Sequence, residues 1–314
     1  MSETLLELQN VSVDFGDFRA VDNLTFKLDG GELLGMIGPN GAGKTTALRA
    51  AAGLQAVANG NVRIQGTDLN PTETMARASL GFTPDTPPVY DNITVSQFLG
   101  FIGDCYGMDR KLQSERIDYW LEQLWLQDKR DSEIKALSRG MRQRLAVART
   151  LLPDPHIVLL DEPAAGLDPA GRLQFRQLLA SLRDQGKAII VSSHILADLA
   201  DYCTHILIME HGRALRFSTV ANFVEDLHDA GVARYHVSLA RRIGDLKNRL
   251  ASFARVKAIE IKDDKFVIET DADADGTAEL LQKLINAGLP IIEFRKSAVD
   301  LEQAYIRAGV AQVD

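Results

Sequence analysis

The sequence has 314 residues, a formal net charge of −8, 46% hydrophobic residues and 25% charged residues. This composition indicates a soluble globular protein and excludes disordered and fibrous classes, and the length predicts two domains on a prior of roughly 150 residues each. The acidic net charge argues against a dedicated nucleic-acid-binding protein. Because no run approaches the ~20 apolar residues of a membrane span and the start lacks a signal-peptide pattern, we expect a cytoplasmic chain.

The first predicted elements are two antiparallel strands. Residues 5–28 alternate between apolar and polar side chains, and Gly16 and Asp17 mark a turn in the middle of this pattern. We expect these strands to form an antiparallel edge that leads into the next element. Phe15 and Phe18, beside the turn, can either stack on a ligand ring or pack in the core. From the residues alone, packing in the core is favoured, because aromatic residues in strands usually pack.

A glycine-rich turn then connects a predicted buried strand, Leu33–Ile37, to a predicted helix. The sequence GPNGAGKTT fits the pattern G-x-x-x-x-G-K-[ST], with Gly38, Gly43, Lys44 and Thr45 at the fixed positions. Its backbone N–H groups and the helix N-terminus surround one point, which suits a phosphate group. Lys44 can reach the β- and γ-phosphates of a nucleotide, and the Thr45 hydroxyl can bind Mg²⁺. The alternative is a plain connecting turn, and both flanking elements count against it.

Further along, NGNVRIQGTDLN predicts a short β element, and SLGFTPDTPP predicts a strand followed by a loop, because prolines interrupt it. Residues 95–128 place apolar side chains at helical spacing and predict at least two helices. We interpret these helices as part of a subdomain of about residues 93–150 that is inserted into the α/β layer. The segment ALSRGMRQRLAVARTLL then predicts a basic helix that begins near Ser138 and Gly140.

A second apolar strand, in HIVLLDEP, ends at Asp161 and Glu162. Ligands of α/β sheets bind at the carboxyl ends of the strands, so both carboxylates are candidates for a nucleotide site. Asp161 suits a magnesium ion, and Glu162 can polarise a water molecule for attack on a γ-phosphate. The alternative is a solvated strand end. The chain then predicts a helix after AGLDPAG, a strand KAIIVSSH that ends at His194, a helix ILADLADYC and a hairpin that turns at His211.

The pattern restarts near Ala233 with a strand, a helix, a hairpin, a second helix, a strand and a trailing helix in DLEQAYIRAG. This βαββαβ order fits a ferredoxin-like split βαβ fold. The second part of the chain contains no cluster of candidate catalytic residues. We therefore predict a first domain over residues 1–220 and a smaller α+β ferredoxin-like accessory domain over residues 221–314.

Five motifs in a fixed order, GPNGAGKTT, LSRGMRQRL, IVLLDEP, AGLDP and VSSH, resemble the nucleotide-binding subunit of an ATP-binding cassette (ABC) transporter over residues 5–218. The LSRGMRQ motif and the C-terminal extension resemble the bacterial ABC-2-type export branch. The resemblance implies an α/β P-loop NTPase fold of the ABC ATPase type that uses ATP and Mg²⁺ and hydrolyses ATP. It also implies a homodimer or heterodimer in which the phosphate loop of one subunit faces the LSRGM signature of the other.

The resemblance assigns a role to each matching residue. Glu162 would be the general base and His194 the γ-phosphate sensor, while Thr45, Asp85 and Asp161 would hold the metal ion. The nucleotide-binding residues would be Phe15, Gly38, Pro39, Asn40, Gly41, Ala42, Gly43, Lys44, Thr45, Thr46, Ser138, Gly140 and Asp168. Among these, Phe15 occupies the position of an adenine-stacking aromatic, and Ser138 and Gly140 would donate to the γ-phosphate across the dimer.

The sequence departs from the family pattern at several positions. Asp85 stands where the family has a glutamine that links the metal to the membrane partner, and its side chain is shorter and charged. Arg139 and Met141 replace the usual glycine and glutamine of the signature, and Ala164 and Ala165 replace common hydroxyl residues. None of these changes removes a core catalytic group, so we expect active ATP hydrolysis.

The function implied by the resemblance is coupling of ATP-driven dimer closure to transport, with export favoured, through a separate membrane-spanning permease. The chain would then lie on the inner face of the cell membrane, with the permease on the Asp85 loop and on residues 95–106. The alternative is a soluble ABC ATPase that acts on nucleic acid or ribosomes. Such proteins usually carry two cassettes or a long coiled coil, and neither is present here, so we expect no nucleic-acid partner. For the C-terminal domain, bracing of the dimer is favoured over ligand sensing.

Overall fold

The computed structural model describes residues 3–296 except 70–73, 87–89, 195–198, 200–201, 224–232, 245, 252, 254–255, 271 and 273. These residues form two compact units, one within residues 3–220 and the other within residues 221–296. No helix in the described ranges combines the length and the apolar character that a membrane crossing requires.

The first unit contains two β-sheets and a group of helices. Its strands are β1 (Thr4–Phe15), β2 (Phe18–Asp29), β3 (Leu33–Ile37), β4 (Asn59–Ile64), β5 (Thr67–Asp68), β6 (Leu80–Thr83), β7 (Ile157–Leu160), β8 (Ala188–Ser193), β9 (His205–Glu210) and β10 (Arg213–Thr219). Its helices are α1 (Lys44–Ala51), α2 (Thr74–Ala78), α3 (Val95–Cys105), α4 (Arg110–Gln123), α5 (Arg139–Leu151) and α6 (Pro169–Asp184).

The larger sheet has the strand order β10-β9-β3-β8-β7-β6, and its strands are parallel except for the β9–β10 hairpin. Every residue of β3, β7 and β8 is buried, which explains why these strands appear in the sequence as continuous apolar runs. Ile37 pairs with Ser193, and Leu160 pairs with Val191. The segments that follow β3, β7 and β8 therefore meet at one edge of the sheet.

The predicted antiparallel edge is a sheet of its own, with the order β2-β1-β4-β5. The alternation in β1 and β2 places their apolar side chains on one face of the sheet. These side chains belong to a hydrophobic cluster that also includes residues of α1 and the larger sheet. Leu8 of β1, Leu48 of α1 and Leu159 of β7 are all fully buried members of this cluster. This cluster joins the smaller sheet to α1 and to the larger sheet.

Helices α3, α4 and α5 form the predicted inserted helical region. The apolar residues Ile117, Trp120 and Leu121 lie on one face of α4 and are buried. Side chains cap the N-termini of these helices: Thr94 forms a capping box on α3, and Asp109 accepts hydrogen bonds at the start of α4.

Replacing Asp109 with Ala should lower the free energy of unfolding by about 1 kcal/mol. The Asp109 Oδ1 atom accepts from the Lys111 N–H at 2.9 Å and from the Leu112 N–H at 3.2 Å, and alanine accepts neither. Both tryptophans of the chain, Trp120 and Trp125, lie in or directly after α4, so urea unfolding followed by tryptophan fluorescence reports on this region. Asp128→Ala, at an exposed position, is the control, and equal unfolding midpoints for the two variants would contradict the capping role.

The second unit contains β11 (Ala233–Leu239), α7 (Leu246–Ala251), β12 (Val256–Lys262), β13 (Lys265–Thr270), α8 (Ala274–Asn286) and β14 (Ile291–Lys296). Its sheet is antiparallel with the order β12-β13-β11-β14, as a ferredoxin-like split βαβ requires. It has its own hydrophobic cluster, which includes Val237, Phe266 and Leu284. The predicted trailing helix lies outside the described residues, and the predicted helix over 195–203 lies largely outside them.

Candidate functional site

A cleft of about 370 Å³ opens at the edge where β3 and β7 end. It brings together four parts of the chain that are far apart in sequence: the β1–β2 turn, the glycine-rich loop, the segment after β6 and the segment after β7. Its lining residues are Phe15, Phe18, Ala20, Asn40, Gly41, Ala42, Gly43, Lys44, Thr45, Thr46, Asp85, Asp161 and Glu162. Most of the residues predicted to bind the nucleotide or the metal ion therefore line one cavity.

The glycine-rich loop wraps the N-terminus of α1, and its backbone requires glycine. Gly43 has a φ angle of 96°, and a Cβ atom there would lie 2.6 Å from the Ala20 carbonyl oxygen. The next residue, Lys44, is 6% exposed, and its Nζ donates to the carbonyl oxygens of Gly38 at 2.7 Å and Pro39 at 3.2 Å. Burial lowers the pKa of Lys44, while the nearby Glu162 carboxylate opposes this effect. A phosphate oxygen is a stronger partner for this ammonium group than a carbonyl oxygen.

Asp161 follows β7 and is almost fully buried. The Ser192 hydroxyl donates to its Oδ1 at 2.6 Å and accepts from the Glu162 N–H at 2.9 Å. Its second oxygen, Oδ2, is buried and has no hydrogen-bond partner in the described part of the chain. An unsatisfied buried carboxylate oxygen is costly unless a ligand uses it. Together with the exposed Thr45 hydroxyl in the same cleft, this oxygen fits a hard divalent cation such as Mg²⁺.

Glu162 has a φ angle of 45°, in the left-handed region that glycine favours and glutamate rarely adopts. Such strain persists where the surrounding structure fixes the residue, and here the Ser192 hydroxyl holds the Glu162 N–H. The Glu162 carboxylate lies 3.1 Å from His194 Nδ1 and 3.9 Å from Lys44 Nζ. Burial raises the pKa of Glu162, and the adjacent His194 and Lys44 partly oppose this effect. This carboxylate is suited to accept a proton, since its basicity is above that of an ordinary glutamate.

The pH dependence of turnover should reflect this raised pKa. If ionised Glu162 accepts the proton, activity is full above its pKa and falls, as the pH decreases, at a higher pH than for an ordinary glutamate. His194→Gln removes a partner that lowers the pKa of Glu162, so the midpoint should move to a still higher pH. The measurement is kcat at saturating Mg-ATP against pH for both proteins, and superimposable profiles would contradict the assignment.

Six predicted residues lie outside the lining of the cleft within this chain: Gly38, Pro39, Ser138, Gly140, Asp168 and His194. Gly38 and Pro39 are adjacent to the lining, and their carbonyl oxygens accept from Lys44 Nζ. Ser138 caps α5, where its Oγ accepts from the Met141 N–H at 3.3 Å, and Asp168 caps α6, where its Oδ1 accepts from the Gly171 N–H at 3.0 Å. Gly140 is buried, and a Cβ atom there would lie 2.9 Å from a backbone carbonyl of the AGLDP segment. The start of α5 and the AGLDP segment are therefore closely packed. His194 also lies outside the lining, but it contacts Glu162.

The interpretation of Phe15 and Phe18 as core residues is wrong. Their side chains are 50% and 66% exposed, respectively, and both line the cleft. The two residues pair across the end of the β1–β2 hairpin, beyond the part of the sheet that the core covers. We refer to residues 15–18 as the aromatic turn. It presents a flat apolar surface beside the phosphate loop, which suits the stacking of a heterocyclic ring.

Sequence reasoning missed Ser192, which links Asp161 to Glu162. A signal was present, because Ser192 and Ser193 are the polar residues of an otherwise apolar strand and lie at its carboxyl end. Ala20 could not be recognised from the sequence, because its contribution is a backbone carbonyl next to Gly43.

Comparison with known proteins agrees with this geometry. A family model described as "ABC transporter" matches residues 21–165. The "Uncharacterized ABC transporter ATP-binding protein YhcH" of Bacillus subtilis is 32% identical over 83% of this chain and 84% of its own length. The "Nod factor export ATP-binding protein I" of Cupriavidus metallidurans is 35% identical over 67% of this chain and 70% of its own.

Among solved structures, an "ATP binding subunit of ABC transporter" is 28% identical and has a TM-score of 0.67. The match covers 72% of this chain and 94% of the other. The sequence motifs, the cleft and these relatives lead to the same conclusion: the chain belongs to the ABC transporter family as an ATP-binding, ATP-hydrolysing subunit.

Proposed function

We propose that this chain hydrolyses Mg-ATP in the cleft between the aromatic turn and the glycine-rich loop, and that hydrolysis drives transport through a separate membrane permease. The observation that carries the proposal is the group formed by Lys44, Asp161 and Glu162 at the carboxyl edge of the parallel sheet. This group combines the Lys44 cation for phosphate, the buried Asp161 carboxylate with an unsatisfied oxygen, and the Glu162 carboxylate, whose pKa is raised and whose backbone has a positive φ angle.

In this mechanism the chain mainly positions the triphosphate and handles one proton. The backbone N–H groups of residues 40–46 and the start of α1 bind the phosphates, and Lys44 exchanges its two carbonyl partners for phosphate oxygens. Thr45, Asp85 and Asp161, which all line the cleft, would hold Mg²⁺. When bound, Mg²⁺ neutralises the charge that develops on the transferred phosphoryl group.

Glu162 would take the proton from the attacking water, because its carboxylate lies in the cleft and is more basic than usual. His194 would position the Glu162 carboxylate through the 3.1 Å contact and approach the γ-phosphate from the same side. Ser192 orients both acidic residues, since its hydroxyl contacts the Asp161 side chain and the Glu162 backbone.

Ser138, Gly140 and Asp168 support a dimeric site. They lie outside the cleft lining, and Ser138 is the exposed N-cap of a helix whose first N–H groups attract anions, while Gly140 is buried in the first turn of the same helix. We propose that they complete the site of a second ABC subunit, which is either another copy of this chain or a homologous protein. ATP held between the two subunits would then favour the closed dimer, and hydrolysis would release it.

The permease would bind on the Asp85 loop and along residues 95–106, which include α3. Tyr90 and Phe101 are 60% and 51% exposed, respectively, and their rings meet edge to face at 6.3 Å. Tyr106, after α3, is also exposed. Exposed aromatic clusters are typical of protein interfaces. Export is the proposed direction, because one relative carries that activity in its name. Docking would place the chain on the inner face of the membrane, with no nucleic-acid partner.

Co-expression with the membrane protein encoded by a neighbouring reading frame tests this part of the proposal. We expect a stable complex with a partner of about six spanning helices, and Phe101→Asp should abolish its co-purification while ATP hydrolysis persists. Leu54→Asp is the matched control, because Leu54 is equally exposed but lies after α1. Purification with ribosomes or nucleic acid in place of a membrane partner would overturn the transport function.

We also propose that residues 1–220 are the ABC ATPase domain, with the helical subdomain at about 93–150, and that residues 221–314 are an accessory domain that braces the dimer. The separate hydrophobic cluster of the second unit supports this division. Removal of residues 221–314 should then weaken dimerisation in ATP, measured by light scattering. Unchanged dimerisation would favour ligand sensing.

A further inference from the structure

The turn between β9 and β10 contacts the phosphate loop. The backbone N–H of Gly212 donates to the carbonyl oxygen of Ala42 at 3.0 Å, and the Gly212 carbonyl accepts from the Asp22 N–H at 2.8 Å. Ala42 belongs to the glycine-rich loop and is buried. One residue of the β9–β10 turn therefore connects the phosphate loop to β2, which carries one side of the aromatic turn.

The packing at this connection leaves no room for a side chain. Gly212 has a φ angle of 79°, and a Cβ atom there would lie 2.7 Å from the Ala20 carbonyl oxygen. The same carbonyl oxygen lies 2.6 Å from the position of a Cβ atom on Gly43. Three backbone segments thus meet at van der Waals distance, and a displacement of one must displace the others.

A chain of ion pairs continues from this turn to the aromatic turn. Arg213 Nε donates to Asp22 Oδ2 at 2.8 Å, and Arg19 Nη1 donates to Asp22 Oδ1 at 3.3 Å. Arg19 also forms two hydrogen bonds to the Asp14 carboxylate, at 2.8 and 3.2 Å. Asp14 and Arg19 face each other across β1 and β2 and immediately precede and follow the aromatic turn in the chain. The ion pairs therefore tie the aromatic turn to the β9–β10 turn.

These ion pairs have little role in stability. Arg213 is 70% exposed and Arg19 is 47% exposed, and ion pairs at such positions contribute little to the free energy of folding. Their geometry is nevertheless specific, since Arg19 binds Asp14 through two nitrogens and Asp22 accepts from two arginines. Because these contacts link Arg213 to the two residues that flank the aromatic turn, they are placed to set the position of that turn.

We propose that Gly212, Arg213 and Asp22 are positioning residues for the nucleotide: Gly212 places the phosphate loop, and the Arg213–Asp22 pair places the aromatic turn at the distance that one nucleotide spans. This inference rests on the proposed function of the cleft as an ATP site. The inference implies that the Arg213–Asp22 pair and Gly212 affect the binding of different parts of the nucleotide. Arg213 and Asp22 act on the heterocyclic ring, and Gly212 acts on the phosphates.

The test measures binding of ATP and of inorganic tripolyphosphate, which has no ring, to the full-length chain. Arg213→Met should weaken ATP binding about fivefold, which corresponds to about 1 kcal/mol, and raise the KM for ATP with kcat unchanged. Its tripolyphosphate binding should equal that of the parent, and Arg213→Lys should recover most of the ATP affinity. Arg63→Met is the matched control, because it breaks an exposed Arg63–Asp68 ion pair in the sheet that contains β1 and β2. It should change neither the ATP affinity nor the tripolyphosphate affinity.

Gly212→Ala should weaken the binding of ATP and tripolyphosphate alike, because it acts through Ala42 on the phosphate loop. Thermal unfolding shows whether Gly212→Ala folds. If it does not fold, the ATP and tripolyphosphate affinities of the Arg213 variants still test the inference. Unchanged ATP affinity in Arg213→Met, or an equal loss for both ligands, would overturn the inference. If the parent chain binds tripolyphosphate but not ATP, the inference and the proposed function both fail. If the parent binds ATP and the variants bind it equally well, the inference fails and the proposed function stands.

Discussion

Replacing Glu162 with Gln should leave ATP binding intact and lower kcat by about 10²- to 10⁴-fold, the usual contribution of a general base. Glutamine has the same shape as glutamate, and the Glu162 N–H would keep its hydrogen bond to Ser192. The amide cannot accept the proton of the attacking water, so the reaction stops after nucleotide binding. The measurements are phosphate release at saturating Mg-ATP and ATP affinity by calorimetry.

The same variant should accumulate as a closed dimer in the presence of ATP, because hydrolysis no longer opens it. Size-exclusion chromatography with and without Mg-ATP detects this dimer. Glu122→Gln, at an exposed position on α4, is the control and should behave as the parent chain. Hydrolysis by Glu162→Gln at the rate of the parent would show that another group is the base.

Replacing Lys44 with Met should weaken ATP binding roughly 100-fold, about 3 kcal/mol, the value of a hydrogen bond to a charged group. Methionine keeps the length and apolar character of the stem, which lies in a buried position. It removes the ammonium group that contacts the Gly38 and Pro39 carbonyl oxygens in this structure and the phosphates in the proposed complex.

The Lys44→Met protein should remain folded without nucleotide, because the substitution replaces a buried charged group with an apolar one. Thermal unfolding without nucleotide checks this expectation, and calorimetry with Mg-ATP measures the affinity. Lys135→Met, at an exposed position before α5, is the control. ATP affinity in Lys44→Met within a few fold of the parent would contradict the assignment of Lys44 to the phosphates.

The elements of the fold could be predicted from the sequence because each has a local signal. Continuous apolar runs predicted β3, β7 and β8, since both faces of these strands are covered, and the alternation in β1 and β2 predicted an antiparallel pair. The separate sheet that β1 and β2 form with β4 and β5 has no comparable signal, because strand order depends on contacts between distant segments. The exposure of Phe18 has no local signal for the same reason, whereas the family resemblance already assigns Phe15 to ring stacking.

The sequence by itself determined which chemical groups this protein can use: a glycine-rich loop with Lys44 and Thr45, and a strand that ends at Asp161 and Glu162. Only the tertiary structure decided their environment. The register of β7 and β8 places Ser192, 31 residues away, on Asp161 and leaves one carboxylate oxygen unsatisfied. The turn at Gly212 reaches the phosphate loop through a backbone hydrogen bond. Spacing along the chain encodes local conformation, but distances between backbone atoms of separate strands are set only when the core packs.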